Sequence, residues 1–135
     1  MLASRNALLT ASASLVVLLV AGCASSGGAA AGGGAAAAVT VTPEMVAEGR
    51  TLYTNPGRCN VCHGATGLGG RVGPNLADNT WLWVDPAQNL HNQIFNIIKQ
   101  GVPQPKVAPT GMPAMGGAQL TDDQIHAIAA YVESL

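Results

Sequence analysis

Cys59-Asn60-Val61-Cys62-His63 is the stretch whose reading decides the fold. On a helical turn, positions i and i+3 face the same way, so these two thiols point together and an imidazole follows at once. At that spacing two sulfurs reach the two vinyl groups of one porphyrin while the next residue lies under its iron. This is the Cys-x-x-Cys-His pattern of covalent haem attachment. It predicts Cys59 and Cys62 as thioether positions and His63 as one axial ligand. Zinc or a redox dithiol also uses a Cys-x-x-Cys pair. Zinc needs a second ligand pair, yet the remaining cysteine, Cys23, lies in an N-terminal apolar run. A dithiol oxidoreductase needs a strand before the motif and a long helix after it, whereas Gly64, Gly67, Gly69 and Gly70 follow here.

The 135 residues hold one domain at most, with part of the length spent on targeting. Much of the apparent hydrophobicity is alanine and leader leucine, and the aromatic residues are only two Trp, two Tyr and one Phe. So thin a core lacks bulk that a buried porphyrin would supply, which makes haem an expected folding requirement. Arg5 precedes an apolar run over Ala7–Ala21. That run falls short of the roughly twenty residues of a membrane span, so residues 1–22 read as an export signal. Its end, Val20-Ala21-Gly22-Cys23, resembles the lipobox of bacterial lipoproteins, with Cys23 as the lipidation site. Cleavage among Ala29–Ala31 is the alternative and would release a soluble protein.

Residues 23–39 read as a lipid-anchored tether, because Ala24–Ala38 contains only Ala, Gly and Ser. Such a segment buries too little apolar surface to offset its ordering entropy, and its root-mean-square reach is about 20 Å. Cys23 for lipid and Cys59 and Cys62 for haem use all three cysteines. The net charge is −1, and becomes −2 without Arg5. That balance does not suggest nucleic acid and gives only mild steering of any partner.

Thr42 as N-cap, Pro43 and Glu44 open a helix expected to reach Tyr53, with Met45, Val46, Gly49, Leu52 and Tyr53 on one face. Gly73-Pro74-Asn75-Leu76 follows the Gly-rich loop, and the Pro74 carbonyl is an expected acceptor for the second nitrogen of His63. Trp81 and Trp83 either lean on the porphyrin or fill core. Asp85 and Pro86 are expected to open a second helix over Ala87–Gln100, closed by Gly101, with Leu90, Ile94, Ile97 and Ile98 as its apolar stripe. His91 beside that stripe is expected to be hydrogen-bonded or exposed rather than a second imidazole ligand. From Val102 to Ala118, Pro103, Pro105, Pro109 and Pro113 predict an ordered, non-helical loop. This loop offers Met112 and Met115 as thioether ligands, with apolar filling of the core as the alternative for both. Thr121-Asp122-Asp123-Gln124 is a capping box for a last helix with Ile125, Ile128, Ala129 and Val132 inward. His126 falls off that stripe and is expected in solvent.

From about Pro43 to Leu135 the chain resembles the single-haem class I c-type cytochromes of bacteria and the haem domains attached to some haem-copper oxidases. The resemblance rests on Gly49…Tyr53, Cys59-x-x-Cys62-His63-Gly64, Gly73-Pro74-Asn75-Leu76, Gly111-Met112-Pro113-Ala114 and Leu120-Thr121-Asp122…Tyr131-Val132. It implies an all-α cytochrome c fold over residues 40–135, three to four short helices wrapped around one covalent haem c. It also implies Met112 as the distal ligand and a crossing of first and last helices at Gly49 near Tyr131. The pocket is then expected to include Pro74, Leu76, Trp81, Trp83, Ile94 and Ile98. Two neighbouring tryptophans and a longer proline-rich loop before Met112 depart from the family pattern.

With His63 and Met112 both on iron, no site remains for substrate, and the expected role is a single-electron carrier rather than an enzyme. Its partners would be redox proteins of a respiratory or photosynthetic chain, with no small-molecule substrate. Its place would be outside a bacterial membrane, held by lipid and facing the periplasm or cell exterior. The alternatives are a haem-bearing subunit of a larger oxidase or reaction-centre complex, or a five-coordinate haem enzyme or sensor using a residue such as His126 or Tyr131.

Overall fold

The computed structural model describes residues 39–135. The export signal, Cys23 and nearly all of the expected tether lie outside the described residues. Among the described residues four α-helices form, α1 Pro43–Thr54, α2 Asn60–His63, α3 Leu90–Gln100 and α4 Asp122–Glu133, with a 3-10 turn at Ala114–Gly117 before the last. The described residues contain no strand; a single antiparallel backbone pair joins Val102 and Met112.

The three longer helices, α1, α3 and α4, start where a side chain satisfies free N–H groups. Thr42 accepts from the Met45 N–H at 3.3 Å with Pro43 in the first turn. At α4 the box is reciprocal: Thr121 Oγ1 accepts from the Gln124 N–H at 3.3 Å, and the Thr121 N–H donates to Gln124 Oε1 at 3.0 Å. The second long helix departs from expectation. It begins at Leu90, because Asn89 accepts from the Asn92 N–H at 2.9 Å. Asp85 instead closes a turn with the Ala87 N–H at 3.0 Å and the Gln88 side chain at 2.9 Å. Two capping residues competed, and the one beside the apolar stripe began the helix.

The first and last helices cross with no side chain between them. A Cβ on Gly49 would collide with the Ala127 carbonyl and lie 2.9 Å from Tyr131 Cβ. Tyr53 and Tyr131 then meet edge to face, centroids 5.2 Å apart. The Tyr53 hydroxyl donates to the Gly64 carbonyl at 2.9 Å and ties the helix pair to the segment after α2. Burial raises its pKa well beyond the ordinary tyrosine range, so it stays a donor. Ile94 and Ile98 of α3 pack with Ile125, Ile128 and Val132 of α4 in the same core.

The histidine of α4 corrects a second expectation, while that of α3 is hydrogen-bonded as expected. His91 is buried, its Nδ1 3.2 Å from Glu133 Oε2 and its Nε2 3.1 Å from His126 Nδ1. The two rings are within 6° of parallel, and His126 also stacks on Phe95 at 4.1 Å between centroids. The stripe of α4 alone put His126 in solvent, but α3 covers it. The Val102–Ala118 segment is likewise not wholly non-helical, since Ala114–Gly117 forms a 3-10 turn in which Met115, Gly116 and Gly117 take positive φ.

Replacing Gly49 with Ala forces α1 and α4 apart and should cost about 1–3 kcal/mol, read as a lower urea midpoint with helical circular dichroism retained. Burial, followed by the neighbouring His91, lowers the His126 pKa from 6.5, with Lys99 adding and Asp122 and Asp123 opposing. As pH falls below 6.5 the unfolded chain therefore binds a proton first, and stability drops until the folded imidazole also titrates. Urea midpoints measured from pH 7.5 to 5 should show that loss, and His126→Gln should flatten it; an unaltered slope would assign it to another group.

Candidate haem site

Cys59 and Cys62 share one helical turn because the His63 N–H donates to the Cys59 carbonyl at 2.9 Å and the Gly64 N–H to that of Asn60 at 2.9 Å. The Gly-rich loop folds back on this turn. The Gly69 N–H donates to the His63 carbonyl at 2.8 Å, and the Gly73 N–H to that of Cys62 at 3.1 Å. This return brings Pro74 over the imidazole, with its carbonyl oxygen 3.0 Å from His63 Nδ1. A carbonyl only accepts, so Nδ1 carries the proton and Nε2 keeps its lone pair. His63 is 8 % exposed, and Nε2 makes no hydrogen bond among the described residues. The arrangement leaves an oriented imidazole with one nitrogen available. Burial, the largest influence, pushes the Cys59 thiol up to about 11, so it is protonated at neutral pH.

A cavity of about 360 Å³ opens beside this turn. Cys59, Cys62, His63 and Met112 line it, and so do the six residues the sequence suggested for a pocket: Pro74, Leu76, Trp81, Trp83, Ile94 and Ile98. Ile128, Val132 and Lys106 also line it. Sequence reasoning placed Ile128 in the α4 core stripe, and the same face of α4 turns out to be both core and cavity wall. Lys106 gave no signal beyond its position as the one cation in a proline-rich loop.

The two methionines occupy different surroundings. Met112 borders the cavity, and its backbone exchanges hydrogen bonds of 2.8 and 2.9 Å with Val102. Gly101 permits this approach: at φ 74° it lies against the Met112–Pro113 backbone, where a Cβ would strike the Met112 carbonyl. Met115, in the left-handed region at φ 54°, packs on the apolar core and is not among the cavity-lining residues.

These residues fit a haem: two thiols on one turn, an imidazole held at one nitrogen, a thioether at the same cavity and largely apolar walls. When bound, haem supplies iron that cycles between Fe(III) and Fe(II). Zinc fits less well, because no group of three or more His, Cys, Asp or Glu gathers as a ligand set among the described residues.

Comparison with known proteins agrees with that chemistry. Residues 44–132 match the family described as cytochrome C oxidase, cbb3-type, subunit III. The chain is 37% identical over 92 residues to the cbb3-type cytochrome c oxidase subunit CcoP of Azospirillum sp. (strain B510), covering 67% of this chain and 30% of the relative. It is 34% identical over 93 residues to subunit CcoP of Rubrivivax gelatinosus (69% and 27%), and 35% identical over 77 residues to subunit FixP of Sinorhizobium medicae (strain WSM419) (57% and 26%). The match thus spans less than a third of these relatives' length. No solved structure gives a significant match.

Gly101→Ala should displace the Met112 backbone and strain a left-handed residue, at a cost of about 1–3 kcal/mol in chemical denaturation. The same substitution at exposed Gly70, whose Cβ would meet only the Cys62 carbonyl at 3.5 Å, should be close to neutral.

Proposed function

The chain belongs to the family of cytochrome c oxidase, cbb3-type, subunit III, and from that premise we propose that it is an electron-carrying haem domain acting as a subunit of a larger cbb3-type oxidase in a membrane respiratory chain. The membrane-tethered single-electron carrier favoured by the sequence alone becomes the second reading, because the relatives bear the names of oxidase subunits. The cytochrome passes single electrons and leaves oxygen chemistry to the rest of such a complex. The observation that carries this reading is the free Nε2 of His63 on a cavity that Met112 also lines. Under this proposal Cys59 and Cys62 hold one haem c by thioether bonds, His63 and Met112 fill both axial positions, and residues 40–135 form the cytochrome domain.

Attachment to the membrane belongs to the same proposal. No described helix is long and apolar enough to cross a bilayer. Lipid on Cys23, followed by the 23–39 tether, would hold the exported domain against the periplasmic or outer face. Electrons would enter or leave where Val72, Trp83 and Val107 are exposed on the cavity wall, with exposed Val61 on the adjacent attachment turn. Such a partly apolar face suits contact with another redox protein.

The test begins with the exported holoprotein. Covalent haem should survive denaturing electrophoresis and be lost in Cys59→Ala/Cys62→Ala. The reduced protein should not bind carbon monoxide, whereas Met112→Ala should bind it and have a lower potential; carbon monoxide binding by the unaltered protein would remove Met112 from the iron. A tagged full-length chain, solubilised from its own membranes in mild detergent, should bring haem-copper oxidase subunits with it. Recovery alone, with its spectrum intact, would return the tethered carrier, independent of a complex, to first place.

A further inference from the structure

The two stretches that depart from the family pattern touch each other across the cavity mouth. Lys106, from the proline-rich loop, donates from Nζ to the Leu82 carbonyl at 2.6 Å and lies 4.3 Å from the centre of the Trp83 ring. Leu82, Trp83 and Lys106 all line the cavity, and Trp83 is 45 % exposed. One ammonium therefore joins both loops through a charge-assisted hydrogen bond and a cation–π contact. The loop has its other fastening at the Val102–Met112 backbone pair. Between them Pro103, Pro105 and Pro109 restrict φ, so the loop is too stiff to absorb a displacement at Lys106 locally.

We propose that Lys106, the Trp83 ring and the Leu82 carbonyl form a clasp that holds the Met112 loop closed over the cavity, making Lys106 a positioning residue for the thioether. The proposal rests on the reading of Met112 as an iron ligand. With the clasp made, the loop keeps the sulfur in place and bars small molecules from its side of the cavity. With it broken, the Val102–Met112 backbone pair still holds the base of the loop while the 103–111 excursion moves outward and uncovers the Met112 side chain. Lys106 is exposed, so its effect is expected on local opening and little on global stability.

The experiment titrates imidazole into oxidised holoprotein and follows the loss of the weak near-red methionine-to-iron band. Lys106→Met keeps the length of the side chain and removes its charge and donor; it should bind imidazole about tenfold more tightly. Lys106→Arg restores both contacts and should stay near the unaltered protein, as a role of mere bulk would not require. Trp83→Leu, which leaves the Leu82 carbonyl, should fall between. Thermal midpoints of the Lys106 variants should agree within about 2 °C. Equal imidazole affinity in Lys106→Met, Trp83→Leu and the unaltered protein, with the methionine band present in all three, would overturn the clasp alone. A missing methionine band in the unaltered protein would overturn the reading of Met112 and the clasp together.

Discussion

The contact between Gly49 and the Ala127 carbonyl is the constraint on which the rest of the domain depends. Because no side chain separates α1 from α4 there, Tyr53 and Tyr131 lock edge to face one turn further along. That places the Tyr53 hydroxyl against the Gly64 carbonyl, immediately after the attachment turn. The same crossing sets the face of α4 so that Ile128 and Val132 reach both core and cavity. A glycine that weakens its own helix thereby fixes where the Cys59–His63 turn and the cavity wall stand.

The attachment turn is held from a second side by backbone alone. The Gly-rich loop returns hydrogen bonds to the carbonyls of Cys62 and His63, and Pro74, with no N–H of its own, follows Gly73 to present its carbonyl to the imidazole. A flexible segment is thus spent on reaching back, and a rigid residue on aiming the result. The outcome is chemical as well as mechanical. The Pro74 carbonyl holds the proton of the neutral imidazole at Nδ1 and leaves the lone pair on Nε2, which suits a nitrogen meant for a metal.

Much of this was legible in the sequence because it is local. Cys59, Cys62 and His63 declare themselves by spacing, Thr42 and Thr121 by their caps, and Pro74 as the restrained carbonyl that follows the Gly-rich loop. What was not legible depends on a neighbour distant in the chain. His126 reads as solvated on the period of α4 and is covered only because α3 brings His91 and Phe95 against it. The start of α3 was misplaced by a single turn because Asp85 and Asn89 are both competent caps, and only packing chooses between them. Lys106 meets Leu82 and Trp83 from 24 and 23 positions away, between two loops that have no period to read.

The positions of His126 and Tyr131 bear on what the domain does with its haem. A five-coordinate haem enzyme needs an acid or base free to face the vacant side of the iron. Here the Nδ1 of His126 is engaged by His91 and its ring covered by Phe95, while the Tyr131 ring is engaged by Tyr53; neither lines the cavity. Of the titratable groups that line it besides Arg58, Cys59, Cys62 and His63, Tyr53 donates to the Gly64 carbonyl at 2.9 Å, Asp78 accepts from the Thr80 N–H at 2.8 Å and Lys106 is bound to the Leu82 carbonyl. The protein spends its polar side chains on closing loops and joining helices, and leaves apolar residues around the cofactor position. An apolar setting of that kind suits the proposed change of charge without a change of bonds, which is the requirement for passing one electron at a time.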